Sequence, residues 1–244
     1  MRFAESSLAA RCLLIAVAHS ICGCLNMDGR NTAVPVALYD TIGQAFLMVV
    51  REDETDGRTT WSQGSGVAVE ESGRHYIYTA RHILFDRANN GALPKRFYAT
   101  TSQGDSFNID LSDIEMPQGN RDAVRIELPK PICRELCLAY RSPRYGERLF
   151  FFGDAKGVGV MCAEIGTVVA LGPLEFEHTA DIITGMSGGP VVDSDGRLVG
   201  LCEKGRIATA HKNGVEIADD SRYLKVRKFA VPLHKVKWQI LKTK

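Results

Sequence analysis

Neither sign of charge prevails in this sequence of 244 residues: 30 lysines and arginines face 29 aspartates and glutamates, for a net charge of +1. Without a long-range field there is no electrostatic reason to expect nucleic acid or an acidic membrane surface as a partner. No second hydrophobic span follows the first thirty residues, and there is no internal repeat, low-complexity tract or long helical apolar period beyond residue 30. The cysteines show neither C-x-x-C pairs nor an H-x-x-x-H companion, and no phosphate-cradling glycine loop or dinucleotide fingerprint is present. No metal and no cofactor is therefore expected. What the chain does have is 45% hydrophobic residues and 23 glycines. That composition predicts a turn-rich, mostly β globular chain of one generous domain or two small ones.

The first 32 residues read differently from the rest. "MRFAESSLAARCLLIAVAHSICGC" places Arg2 and Arg11 ahead of an apolar run from Cys12 to Ala18, followed by small residues, in the manner of a secretory leader. The run is too short to span a bilayer. Its ending, Ile21-Cys22-Gly23-Cys24, resembles a lipoprotein box with Cys24 as the lipidated residue, which would tether the protein to a membrane. Export to a bacterial periplasm, envelope or exterior is the expectation; an N-terminal helix of a cytoplasmic protein is the alternative. Of the seven cysteines, Cys133, Cys137, Cys162 and Cys202 lie outside this leader. They suit either two disulfides in an oxidising compartment or small buried hydrophobes.

From residue 44 onward, short apolar segments recur. "QAFLMVV" (44–50), "SGVAVE" (65–70) and "HYIYTA" (75–80) read as strands, the first two separated by a charged tip whose Asp56-Gly57 favours a turn. "RFYAT", "SFNIDLS" and "AVRIEL" continue the series at the spacing of a small antiparallel barrel. A stretch with three prolines, residues 129–143, divides this half (33–130) from a second β-rich half (144–230). Asp195-Gly196 is a hairpin signal, and the tail 231–244 carries a partial helical face in Leu233, Val236, Trp238, Ile240 and Leu241. The predicted fold is all-β: two antiparallel six-stranded Greek-key barrels closed by a short C-terminal helix.

The chemistry centres on "ITGMSGGPVVDSDGRLVG" (182–199). "GMSGG" satisfies G-x-S-x-G, but an α/β-hydrolase elbow turns from strand into helix, and here Gly189-Pro190-Val191-Val192 runs into a hairpin. Only 57 residues follow Ser187, too few to supply that fold's acid and histidine in suitable settings. An upstream base is better placed. A serine hydroxyl needs a general base and a third group to fix the imidazole. His75, His82 and His178 are the candidates, and His82 ends an apolar strand in "YIYTARHIL", where a barrel edge would hold it rigidly. Asp122 opens the strand "DAVRIEL".

"TARH", "DAVRIEL" and "GMSGGPVV" resemble the three signature stretches of trypsin-like, chymotrypsin-fold serine peptidases. "GSGVAV", "LVGL" and "FAVPL" make the likeness closest in style to bacterial HtrA-related members, with no domain resembling a PDZ module. The resemblance spans about residues 44 to 240. It implies a serine endopeptidase acting on protein or peptide substrates, with Ser187 as nucleophile, His82 as general base and Asp122 orienting His82. The N–H groups of Gly185 and Ser187 would form the oxyanion hole. It further implies Asp181 or Glu203 as a pocket acid favouring a basic side chain, against the plainer reading of Asp181 as a loop-capping carboxylate. Met186 stands where digestive members carry an aspartate, so no trypsinogen-like activation switch is implied and the loop must be held by other contacts. Arg81, beside His82, is expected to face water. A protease-like binding module without activity is the rival, and the co-occurrence of His82, Asp122 and Ser187 argues against it.

Overall fold

The charged tip between the first two expected strands is itself strand. In a computed structural model that describes residues 33–55, 57–85, 92–203, 206–207, 211–212, 215–216 and 226–241, β1 (Phe46–Thr55) pairs antiparallel with β2 (Arg58–Glu71) from Phe46↔Val67 out to Thr55↔Arg58. The ladder continues to the tip of the hairpin. Gly57 has φ +72, the left-handed value that such tight hairpins require. Arg51, fully buried in β1, binds Asp53 and donates to the Leu84 carbonyl at 2.9 Å, anchoring the stem of this hairpin to the chain that follows His82.

β3 (Arg74–Thr79), the four-residue helix α2 (Arg81–Leu84), β4 (Arg96–Thr101), β5 (Ser106–Asn108), β6 (Ile114–Pro117) and β7 (Val124–Leu128) complete the first half, with β8 (Leu136–Cys137) lying parallel beside β2. Helix α1 (Val36–Ala45) precedes β1. The first sheet runs β18-β6-β7-β3-β2-β1-β4-β5, where β18 is Trp238–Ile240. The second half contains β9 (Arg148–Asp154), a 3₁₀ turn over Ala155–Gly157, β10 (Met161–Leu171), β11 (Phe176–His178), β12 (Pro190–Val192), β13 (Leu198–Cys202) and β17 (Val226–Pro232). β14 (Arg206–Ile207) adds to β17, and β15 (His211–Lys212) pairs with β16 (Val215–Glu216).

The two halves share one winding. In the second, the order β11-β10-β9-β12-β13-β17 closes on itself through β11–β17, a six-stranded barrel. The first follows the same order but is a curled sheet, because β5 and β6 do not pair; the expectation of a second closed six-stranded barrel is corrected to that extent. The open edge explains a further correction. The expected C-terminal helix over 231–244 is a strand as far as it is described: Trp238–Ile240 pairs with Pro117–Glu115 along β6. A turn through Lys235, at φ +56, breaks the helical spacing, and the unpaired edge of β6 outweighs a weak helical pattern. Residues 242–244 lie outside the described part of the chain.

Three apolar clusters hold the molecule together. One lies within the first sheet and includes Leu47, Ile77, Phe97 and Ile126. A second fills the closed barrel, with Leu149, Phe151, Val191 and Val199. The third sits between the halves, where Val67, Tyr76 and Tyr78 meet Phe152, Leu201 and Val231. Helix α1 was not expected from the sequence. It inserts Leu38, Ile42 and Ala45, at the i, i+4, i+7 spacing of a single helix face, into this central cluster. Beside it, the buried Arg125 guanidinium stacks over Tyr76 (4.4 Å) and Trp238 (4.8 Å) and bonds Glu115 at 2.8 Å, fixing β18 to the sheet.

Candidate active site

β3 delivers the chain through an extended Ala80 into α2, whose second residue is His82. Asp122 stands just ahead of β7, the neighbour of β3 in the sheet. Its carboxylate grips His82 twice: Oδ1 accepts the backbone N–H at 2.9 Å and Oδ2 contacts Nδ1 at 2.5 Å. A carboxylate oxygen only accepts, so the proton of the neutral ring lies on Nδ1 and Nε2 carries the lone pair. Burial works to raise the Asp122 pKa, but the hydrogen bonds and charge of His82, assisted by Arg81, overcome it and hold the carboxyl below its ordinary value. Arg81 reaches Asn120 at 3.3 Å and lies 6.0 Å from the Phe85 ring, so it runs along the surface next to the pair.

Ser187 lies in the segment between β11 and β12 and is 9% exposed. Its carbonyl accepts the N–H of Ser65, from β2, at 2.9 Å. The next residue, Gly188, has φ +81, and a Cβ there would stand 2.3 Å from Ser65 O, 2.4 Å from Thr79 Oγ1 and 2.6 Å from Ala80 N. Only glycine allows this backbone to approach the end of β3 so closely. The Ser187 loop and the His82–Asp122 pair thus meet at one seam between the halves. No hydrogen bond joins His82 Nε2 to Ser187 Oγ.

The peptide ahead of Ser187 has a definite orientation. The Thr184 carbonyl accepts the N–H of Lys156 at 2.6 Å. In a planar trans peptide the N–H points opposite to the C=O, so Gly185 N–H is turned away from that contact. Gly185 has φ +98. Met186 N–H donates to Ile183 O, whereas among the described residues no acceptor takes the N–H of Gly185 or of Ser187. Two unspent donors therefore flank Met186. Met186 itself is fully buried against Gly153, where a Cβ would stand 2.5 Å from the methionine Cα.

The remaining expected residues are placed as follows. Asp181 is largely exposed, at 78%, and ion-pairs with Lys228. The neighbouring Glu164 has a raised pKa, first from burial and then from Asp181, with Lys228 opposing. Glu203 is buried just past β13, its N–H donating to Phe229 O at 3.0 Å. Cys24 and the whole leader lie outside the described residues. His75 pairs with Glu135 at the far end of β3. His178 is buried in the closed barrel with its ring centroid 4.1 Å from that of Phe151. Cys133, Cys137, Cys162 and Cys202 form no disulfide. The hairpin at Asp195-Gly196 is present but longer than two residues: Asp193 Oδ1 accepts the N–H of Asp195 and of Arg197, and only Gly196 has positive φ. The sequence reading did not single out Ser65 or Asp154, which contact this loop; the glycines on both sides of Ser65 were the available signal.

A family model described as "Trypsin-like peptidase domain" matches residues 64–201, which include His82, Asp122 and Ser187. Among solved structures, the chain is similar to a crystal structure of the serine endoprotease from Yersinia pestis. The TM-score is 0.55 and the identity 19%, over 82% of this chain and 64% of that one. At that identity the likeness carries the fold alone. This chain spans a little under two thirds of that structure's length.

Proposed function

Since the chain belongs to the trypsin-like peptidase family, we propose that it is a serine endopeptidase that cleaves protein or peptide substrates through His82, Asp122 and Ser187. The observation that carries the reading is the double grip of Asp122 on His82, at the seam where Ser187 and two unspent backbone donors lie.

In this mechanism His82 Nε2 takes the proton of Ser187 Oγ as the oxygen attacks the scissile carbonyl carbon. Asp122, its carboxyl held below the ordinary value, supports the imidazolium that forms. The carbonyl oxygen gains the electron pair and is met by Gly185 N–H and Ser187 N–H, each donor lowering the barrier by about 3 to 4 kcal/mol. The oxyanion then collapses, the C–N bond breaks, and His82 returns its proton to the leaving amine. Water, deprotonated by the same imidazole, hydrolyses the acyl-enzyme.

For the residue on the acyl side, the reading of Asp181 or Glu203 as a pocket acid stays part of the proposal. The ion pair to Lys228 means a basic side chain must compete for Asp181. The protein is further proposed to act outside the cytoplasm, with Cys24 as an optional lipid tether; mass analysis of the mature N-terminus from membrane and soluble fractions tests this.

The decisive experiment is fluorophosphonate labelling with mass mapping of the adduct. Modification at Ser187 that disappears in Ser187→Ala and His82→Ala supports the peptidase reading. A folded wild-type protein that takes no label overturns it in favour of a binding module without activity.

A further inference from the structure

We propose that Ser65 and Asp154 are positioning residues that hold the Gly185 peptide with its N–H free for an oxyanion. This rests on the peptidase reading above and deepens it. With the uncharged Met186 before the nucleophile, no ion pair at that position ties the loop down. Something else must fix the loop if it is competent at rest.

Ser65 is fully buried and spends every polar group it has on this seam. Its N–H donates to Ser187 O at 2.9 Å, and its carbonyl accepts Thr79 Oγ1 at 2.7 Å. Its hydroxyl donates to Gly185 O at 2.8 Å and accepts the N–H of Asp154 at 2.8 Å. One side chain thus ties residue 185 to β9, while the same residue's backbone ties down residue 187. The second brace is the turn that follows β9. Lys156, at φ 63, presents its N–H to Thr184 O. Asp154 closes this turn by accepting Val158 N–H and Gly159 N–H, each at 2.9 Å. Gln63, two residues before Ser65, donates to Gly157 O.

The consequence is that both carbonyls bracketing Gly185 N–H are occupied. Rotating the 184–185 peptide so that its oxygen fills the donor site would break the bond to Lys156. It would also strain the Gly185 carbonyl away from the Ser65 hydroxyl. A loop held by donors from β2 and from the 154–159 turn needs no proteolytic event to become competent.

The test measures fluorophosphonate labelling of the full chain as a maximal inactivation rate and a half-saturating reagent concentration, beside a melting midpoint. Ser65→Ala and Asp154→Asn are each expected to lower the maximal rate about 10- to 100-fold, the scale of impairing one oxyanion donor, with half-saturation and melting midpoint little changed. A rate equal to wild type in both variants overturns the assignment and leaves the peptidase reading intact. A rate loss matched by the fraction unfolded makes the two residues purely structural and also overturns it. Wild-type protein that is not labelled at Ser187 removes both readings together. Where Ser65→Ala fails to fold, amide exchange of the wild type serves: Asp154 and Lys156 N–H are expected to exchange slowly, and exchange at the rate of open loop amides refutes the clamp.

Discussion

At Asp122 a single carboxylate does two jobs, fixing the main chain at residue 82 and the tautomer of its ring. Asp122→Asn keeps the shape but allows an amide N–H to face Nδ1, which favours the wrong tautomer. A loss in kcat of about 10⁴ is expected, read by labelling rate or peptide hydrolysis. Because this carboxyl is held below its ordinary value, the stability it lends is complete above the usual carboxylate range and is lost as pH falls through the lowered pKa. His178 behaves in the opposite charge sense. Burial pushes its pKa down from 6.5 to about 4, and its ring lies beside the Phe229 backbone with no well-formed hydrogen bond at either nitrogen. An unfolded chain takes up that proton below pH 6.5 while the native chain does not, so stability falls by about 3 kcal/mol between pH 6.5 and 4. Urea denaturation across that range checks it, and His178→Phe is expected to flatten the slope. Lys228→Gln releases Asp181 from its partner and is expected to raise kcat/KM for substrates with Arg or Lys on the acyl side relative to Ala. No change in that ratio removes Asp181 from the pocket.

At the scale of elements, sequence and structure part most clearly at helix α1 and strand β18. The helical face Leu38, Ile42, Ala45 is only three turns long and runs directly into the apolar start of β1, so the two periods blur together. The tail shows the reverse: a partial helical spacing that yields to a free sheet edge, because strand preference is set by what lies alongside. By contrast, the inner part of β2, together with β3, β7 and the β12–β13 hairpin, was legible because apolar residues and turn glycines agree there. The same logic explains the site. His82, Asp122 and Ser187 sit in local signatures, whereas Ser65 and Asp154 matter only because distant strands bring them to one loop. Ile42→Ala, which empties space at the centre of the inter-half cluster, is expected to cost about 3 kcal/mol in chemical denaturation. An effect below 1 kcal/mol means that α1 does not pack as described.

On the scale of the whole molecule, the halves are joined by a core of their own rather than by a linker. The cluster that unites Tyr78 with Phe152 and Leu201 is drawn from both sheets and from α1. Unfolding is therefore expected to be a single transition, with far-UV circular dichroism and the fluorescence of Trp238 in a Trp61→Phe background changing at the same denaturant concentration. Two separated transitions show that the halves are independent domains. The order in which strands are made has a further effect. β17 is the staple between β13 and β11, and its residues 226–232 are synthesised well after Ser187. During translation the serine is made while the barrel that shapes its loop still lacks this closing strand. On the peptidase reading proposed above, a growing chain is kept from cutting itself or its neighbours until β17 has been threaded into place.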